Sequence, residues 1–207
     1  MRAAFPDHWP MLGRYAELLA AAADERGLLG PREASRLWER HLLNCAVIAA
    51  LIPPGSSIVD VGSGPGLPGL PIAIVRPDCR VVLLEPTLRR VEFLHEVVSD
   101  LGIGDRVTVD RGRAEDRAGW LRTGVVTARA VAPLARLLPL TLPLVAPGGM
   151  ILAIKGMSAE RELADIEPDC LRLGVRARVQ SVGEGIVDPL TTVVVLEAPP
   201  SGATTAR

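Results

Sequence analysis

The 207-residue chain is 48% hydrophobic and 23% charged, the balance of a folded domain able to bury a core without a disulfide or metal staple. Its 23 basic and 24 acidic side chains leave a net charge of −1, which excludes a broadly basic nucleic-acid wrapper but not a local basic patch. Cys45, Cys79 and Cys170 lie far apart without a C-x-x-C pair, and His8, His41 and His95 lack ligand spacing. With no signal-peptide profile at the N-terminus, these features point to a cytoplasmic protein with no metal site.

Residues 1–52 read as a helical extension. Tyr15, Leu18 and Leu19, then Leu37, Trp38, His41, Leu42, Cys45 and Ile48, recur at steps of three and four. Gly27, Gly30 and Pro31 divide this segment, and Pro53-Pro54-Gly55 closes it. From Ser57 the period changes. Apolar or β-branched runs at 57–61, 80–84, 106–110, 124–127, 150–154, 175–182 and 191–196 predict seven strands, with helices at 89–101 and 159–173. The apolar stretch 134–145 holds an arginine and two prolines and is too short to span a bilayer.

Strands alternating with helices predict an α/β, Rossmann-like fold, with a seven-stranded, mostly parallel sheet and helices on both faces. The last two runs, joined by the turn-rich segment 183–189, read as an antiparallel pair on one edge. Residues 53–197 form this domain, and the Pro/Ser/Gly/Ala/Thr-rich segment 198–207 reads as a disordered tail.

The most informative segment is Asp60-Val61-Gly62-Ser63-Gly64-Pro65-Gly66-Leu67-Pro68-Gly69-Leu70, where a buried strand runs into four glycines within eight residues. The first βα turn of a doubly wound sheet lies at the carboxyl edge of the strands, where such folds bind ligands. Gly64-x-Gly66-x-x-Gly69 satisfies the dinucleotide pattern, which leaves a nicotinamide-binding oxidoreductase open. Two features favour S-adenosylmethionine instead. Asp60 places a carboxylate in the loop's mouth, repelling a pyrophosphate and attracting an ammonium group. Pro65 and Pro68 lack the amide donors a phosphate cradle would use. Glu85, 19 residues after Gly66, ends the second strand, where an acid can take ribose hydroxyls.

This loop, continuing into Pro71-Ile72, resembles the cofactor loop of the ribosomal RNA small-subunit methyltransferase G family, also called glucose-inhibited division protein B. Further matches are Arg40-His41-Leu42-Leu43, Arg89-Arg90-Val91-Glu92-Phe93-Leu94, Arg113-Ala114-Glu115, Ala128-Arg129-Ala130 and Lys155-Gly156, over roughly residues 12–197. The resemblance implies a class I, S-adenosylmethionine-dependent enzyme that methylates guanine N7 in 16S rRNA of the small ribosomal subunit. It implies cofactor contacts at Gly62, Leu67, Ala114, Glu115 and Arg129, joining Asp60, Gly64 and Glu85 read from the loop and strand ends. No catalytic acid or base is expected, because guanine N7 carries a lone pair and no proton; alignment with the methyl donor suffices. Arg129, Lys155 and His41 are candidate substrate contacts, and the arginines at 89, 90, 111, 113, 117 and 122 form a mostly solvated face that can meet RNA backbone. A small-molecule methyltransferase is the alternative, favoured by the near-neutral charge, and a monomer without membrane contact is expected.

Overall fold

The sheet of the computed structural model, which describes residues 2–28 and 36–201, follows the order β3-β2-β1-β4-β5-β7-β6. β1 (Ser57–Val61), β2 (Arg80–Leu84), β3 (Val107–Asp110), β4 (Thr123–Arg129) and β5 (Val145–Lys155) are parallel. β7 (Thr191–Glu197) runs antiparallel between β5 and β6 (Arg176–Val182). The expected topology, antiparallel edge included, is therefore present. The strand order reverses beside β1, so the loop that leaves β1 opens at the switch point where such sheets bind ligands.

Alternation along the strands divides two cores. Ile58, Val81, Leu83, Val125 and Leu152 face one layer, built from α1 (Trp9–Arg26), α3 (Gly69–Val75) and α4 (Leu88–Asp100). Val59, Val61, Leu84, Val126 and Ile151 face the other, with α5 (Leu134–Thr141) and α6 (Ala159–Leu173). Every residue of α3 is buried, because α3 lies between the sheet and the N-terminal helices. Those N-terminal helices share their hydrophobic core with the sheet: Leu12, Tyr15 and Leu19 join Leu70, Phe93 and Leu94 in one cluster. At the rim, the Arg14 guanidinium grips both Asp100 oxygens at 2.8 and 2.7 Å, an exposed pair that adds little to stability.

Two local features differ from the sequence reading. The second N-terminal segment is no uniform α-helix: Leu37–Leu43 is a π-helix, followed by one α-turn (α2, Asn44–Ala46) and a 3-10 helix (Val47–Leu51). Apolar spacing cannot separate these forms, since all bury one stripe. At the other end the chain stays ordered past 197, because Ala198 N–H bonds Gly149 O (2.9 Å) and Pro199 O accepts from Gly148 N–H (3.0 Å). Gly30, Pro31 and residues 202–207 lie outside the described residues.

Candidate active site

The glycine loop is shaped by what it touches. After Val61 the backbone passes through Gly62, Gly64 and Gly66 at φ +67°, +57° and +107°. A β-carbon on Gly66 would lie 2.3 Å from Leu70 Cδ1, and one on Gly69 would lie 2.4 Å from Leu83 Cδ2 and 2.7 Å from Asp60 Oδ2. Side chains at 66 and 69 are thus excluded by packing. A β-carbon on Gly64 would meet only Gly62 O at 3.9 Å, so packing leaves room beside its backbone, although the residue is itself buried with its N–H on Glu85. From outside the loop, the buried Tyr15 hydroxyl on α1 donates to Pro65 O at 2.8 Å.

Glu85 joins the loops that follow β1, β2 and β3. Its Oε2 accepts from Gly64 N–H (2.9 Å) and its Oε1 from Thr87 N–H (2.9 Å). Its own N–H donates to Asp110 O (3.1 Å), and its carbonyl accepts from Gly112 N–H (3.3 Å). Glu85 is only 1% exposed, with Arg90 Nη1 3.7 Å from Oε1, so these groups cover its carboxylate, and each oxygen keeps a lone pair beyond the bonds to Gly64 and Thr87.

Asp60 requires a correction. Its carboxylate does not stand in the loop's mouth; it is fully buried beneath the loop, on the same strand face as Ile58. Oδ2 accepts from Gly69 N–H (3.0 Å) and Oδ1 from the Thr127 hydroxyl (2.9 Å). Burial raises its pKa to about 6, against the lowering effect of these hydrogen bonds. Asp60 is therefore a scaffold for the first turn of α3 that brings a negative charge near neutral pH.

Arg129, at the end of β4, is held by neutral groups. Its Nη2 donates to Arg40 O (3.0 Å) and to His41 Nδ1, and its Nη1 to Cys45 Sγ (3.2 Å). A guanidinium has no acceptor, so Nδ1 of His41 receives the hydrogen bond and its proton lies elsewhere. His41, read as a substrate contact, is only 8% exposed and serves Arg129 instead. No carboxylate among the described residues pairs with Arg129, which leaves its charge uncompensated at the carboxyl edge of the sheet. Lys155 is likewise not open to a ligand: Nζ donates to Ala132 O (2.6 Å) and Glu162 Oε2 (2.8 Å).

The remaining positions spread along the edge. Gly62 sits under Val131, whose Cγ2 would be 3.0 Å from a β-carbon there. Leu67 is buried, with its N–H on Ser63 O (2.8 Å). Ala114 is buried and Glu115 exposed at the start of a short 3-10 helix (Glu115–Arg117) beyond β3. Among the arginines, Arg117 clamps Asp110 with two bonds of 2.7 and 2.6 Å and Arg90 lies 3.7 Å from Glu85, whereas Arg89, Arg111, Arg113 and Arg122 are exposed. Sequence reasoning missed Tyr15, Cys45, Thr127 and Glu162. Only Thr127 left a signal, as a polar residue in an apolar strand that pairs in register with Asp60.

The family model described as rRNA small subunit methyltransferase G matches residues 9–186. The chain belongs to the rRNA small subunit methyltransferase G family. A relative of that name from Streptomyces avermitilis is 56% identical over 198 residues, covering 95% of this chain and 83% of the relative. Solved structures match the fold at lower identity. A putative O-methyltransferase from Klebsiella pneumoniae superposes with a TM-score of 0.62 at 18% identity, covering 92% of this chain and 90% of that one. P. horikoshii TYW2 in complex with MeSAdo gives 0.59 at 17% identity, covering 84% and 65%. In this methyltransferase G family chain, the glycine loop, Glu85 and Arg129 lie at the carboxyl edge of the sheet, beside the switch point where doubly wound sheets bind ligands.

Proposed function

We propose that this protein transfers the methyl group of S-adenosylmethionine to N7 of a guanine in 16S rRNA of the small ribosomal subunit. The observation that carries the reading is the pairing of a glycine-rich loop held by Glu85 with an arginine that has no carboxylate partner among the described residues. When bound, S-adenosylmethionine supplies an electrophilic methyl group on a sulfonium. Gly64 and its neighbours leave room for main-chain contact, Glu85 offers lone pairs to ribose hydroxyls, and the Ala114–Glu115 corner suits the adenine. Arg129 brings the uncompensated positive charge that a cofactor carboxylate or RNA phosphate would neutralise.

The chemistry asks little more of the chain. Guanine N7 needs no base to deprotonate it, and Asp60 beneath the loop and His41 beside Arg129 are engaged in bonds to Gly69, Thr127 and Arg129. What remains is to hold N7 in line with the methyl–sulfur bond and to exclude water. Three buried thiols suit a reducing cytoplasm, where we place the enzyme as a monomer.

Methyl transfer from labelled S-adenosylmethionine to small subunits lacking N7 methylation, with the modified nucleotide mapped, tests the proposal. Label at one guanine N7 is expected. Label on another atom, or tight cofactor binding without label, would overturn the assignment of N7 in the assembled subunit. The small-molecule alternative separates on salt dependence, because phosphate contacts give a steep slope and a small metabolite does not.

Tyr15 provides a test of the loop's support. Tyr15→Phe removes the donor to Pro65 O while keeping the ring packed, and it is expected to lower stability by about 1 kcal/mol. Cofactor affinity should fall several-fold because the loop is then less well ordered before binding. Thermal unfolding and calorimetric titration would read the two effects; unchanged affinity would mean that the loop holds its shape without α1.

A further inference from the structure

Between β4 and α5 the chain makes an abrupt corner. Ala130 has φ +54°, alone among the described non-glycine residues in taking a positive φ. A β-branch-free side chain tolerates this conformation at a cost of about 1 kcal/mol or more, so neighbours must enforce it. The next residue, Val131, is the one that lies against Gly62 of the cofactor loop.

The enforcing groups come from β5 and α6. Lys155 Nζ, at the end of β5, donates to Ala132 O (2.6 Å) and to Glu162 Oε2 (2.8 Å). The same Glu162 oxygen accepts from Leu134 N–H (2.9 Å), the first residue of α5, while Oε1 accepts from the Ser158 hydroxyl (2.8 Å). A cation therefore holds the carbonyl on one side of Pro133 and a carboxylate holds the amide on the other. Both side chains are largely covered, at 12% and 20% exposure. Burial raises the Glu162 pKa, but the bonds from Lys155, Leu134 N–H and Ser158 outweigh it and leave the carboxyl below its ordinary value.

We propose that Lys155 and Glu162 form a latch that fixes the 130–134 corner, so that both are positioning residues acting through Val131 and Arg129 rather than contacts to RNA. The inference deepens the proposed methyl transfer and uses it for its kinetic readouts. Val131 sets the height of the wall over Gly62, and Arg129 lies immediately before the corner. A shift of the corner would misplace the reacting atoms, and a misplacement of about 1 Å can lower turnover on the order of a hundredfold.

The test compares Lys155→Met, Glu162→Gln, their combination, and Lys155→Arg, using small subunits that lack N7 methylation. A latch predicts that each single loss lowers kcat at least about tenfold with KM for the subunit little changed, and that the double variant is no worse than either. Lys155→Arg, which keeps donors and charge, should recover most of the activity. The slope of log K against log salt for subunit binding should stay at the wild-type value. A phosphate contact at Lys155 would instead lower that slope by about 0.7–0.9 and raise KM. Freeing such a lysine by Glu162→Gln would then tighten binding, the opposite sign; either result overturns the latch. Hydrogen exchange at the Leu134 amide, faster in Glu162→Ala than in wild type if the latch holds, needs no turnover. If wild type transfers no methyl group to the subunit, the proposed reaction fails while exchange still decides the latch: unchanged exchange there would overturn it.

Discussion

Arg129→Ala is expected to lower methyl transfer on the order of a hundredfold or more, the loss that follows removal of one positioned charged donor. The reason lies in the company Arg129 keeps. Its three partners, Arg40 O, His41 Nδ1 and Cys45 Sγ, orient the guanidinium without neutralising it. A half-buried cation in that state gains its counter-charge when an anionic ligand arrives. Truncation also removes one donor each from the Arg40 carbonyl and the His41 ring nitrogen, at a cost of about 1 kcal/mol in stability. Arg129→Lys should restore charge but not the planar fork, recovering cofactor affinity more than turnover. Steady-state kinetics, calorimetry and thermal unfolding on one preparation separate these effects. Wild-type turnover in Arg129→Ala would contradict the assignment outright.

Asp60→Asn is expected to raise stability at pH 8 while weakening the cofactor at least tenfold. In the folded chain Asp60 titrates at about 6, against an ordinary value of 3.8. Between those values the folded state holds a proton that the unfolded state has released, so stability falls as pH rises from about 4 to about 6 and then levels off. Two pH units correspond to about 3 kcal/mol, an upper figure for what a neutral replacement recovers above pH 6. The asparagine can still accept from Gly69 N–H, and its amide can donate to Thr127, whose hydroxyl rotates to accept. What disappears is the negative charge beneath the loop, which favours a cofactor carrying ammonium and sulfonium groups. In the wild type, affinity should accordingly decline as pH drops below 6 and Asp60 takes up its proton. A stability difference between the two proteins that does not change from pH 4 to 8 would refute this account.

How much of this was legible in the sequence depends on the range of each interaction. The glycine loop follows its strand directly, so its place at the switch point could be read from residues 58–70 alone. The antiparallel edge was equally open, because the segment 183–189 offers turns where a crossover helix would need apolar spacing. Asp60 was misplaced for a local reason: period-two alternation already put it on the face of Ile58, beneath α3, and proximity to the glycines drew attention to the loop's mouth instead. Lys155 shows a different limit. Its position at a strand end fixed which edge it occupies, but not that Ala132 O and Glu162 wait there. The Tyr15 bond to Pro65 spans 50 residues, and no periodicity reports such a contact. The π-helix was hidden too, though it is what turns Arg40 O and His41 toward Arg129.

The place of β7 has a consequence for synthesis of the chain. β6 leaves the ribosome before the strand that must lie between it and β5, and among the described strands its only ladder is with β7. Until Thr191–Glu197 emerges, the edge of β5 offers a row of unpaired backbone groups, and apolar residues such as Ile151, Leu152 and Ala153 lack the cover of Val193–Leu196. At elongation rates of about 5–20 residues per second, the nascent protein passes through that open-edged state for seconds, the interval in which β-edge association between neighbouring chains is favoured. Chains stalled before residue 191 should therefore engage chaperones and aggregate, whereas chains stalled with residue 199 clear of the exit tunnel should resist protease.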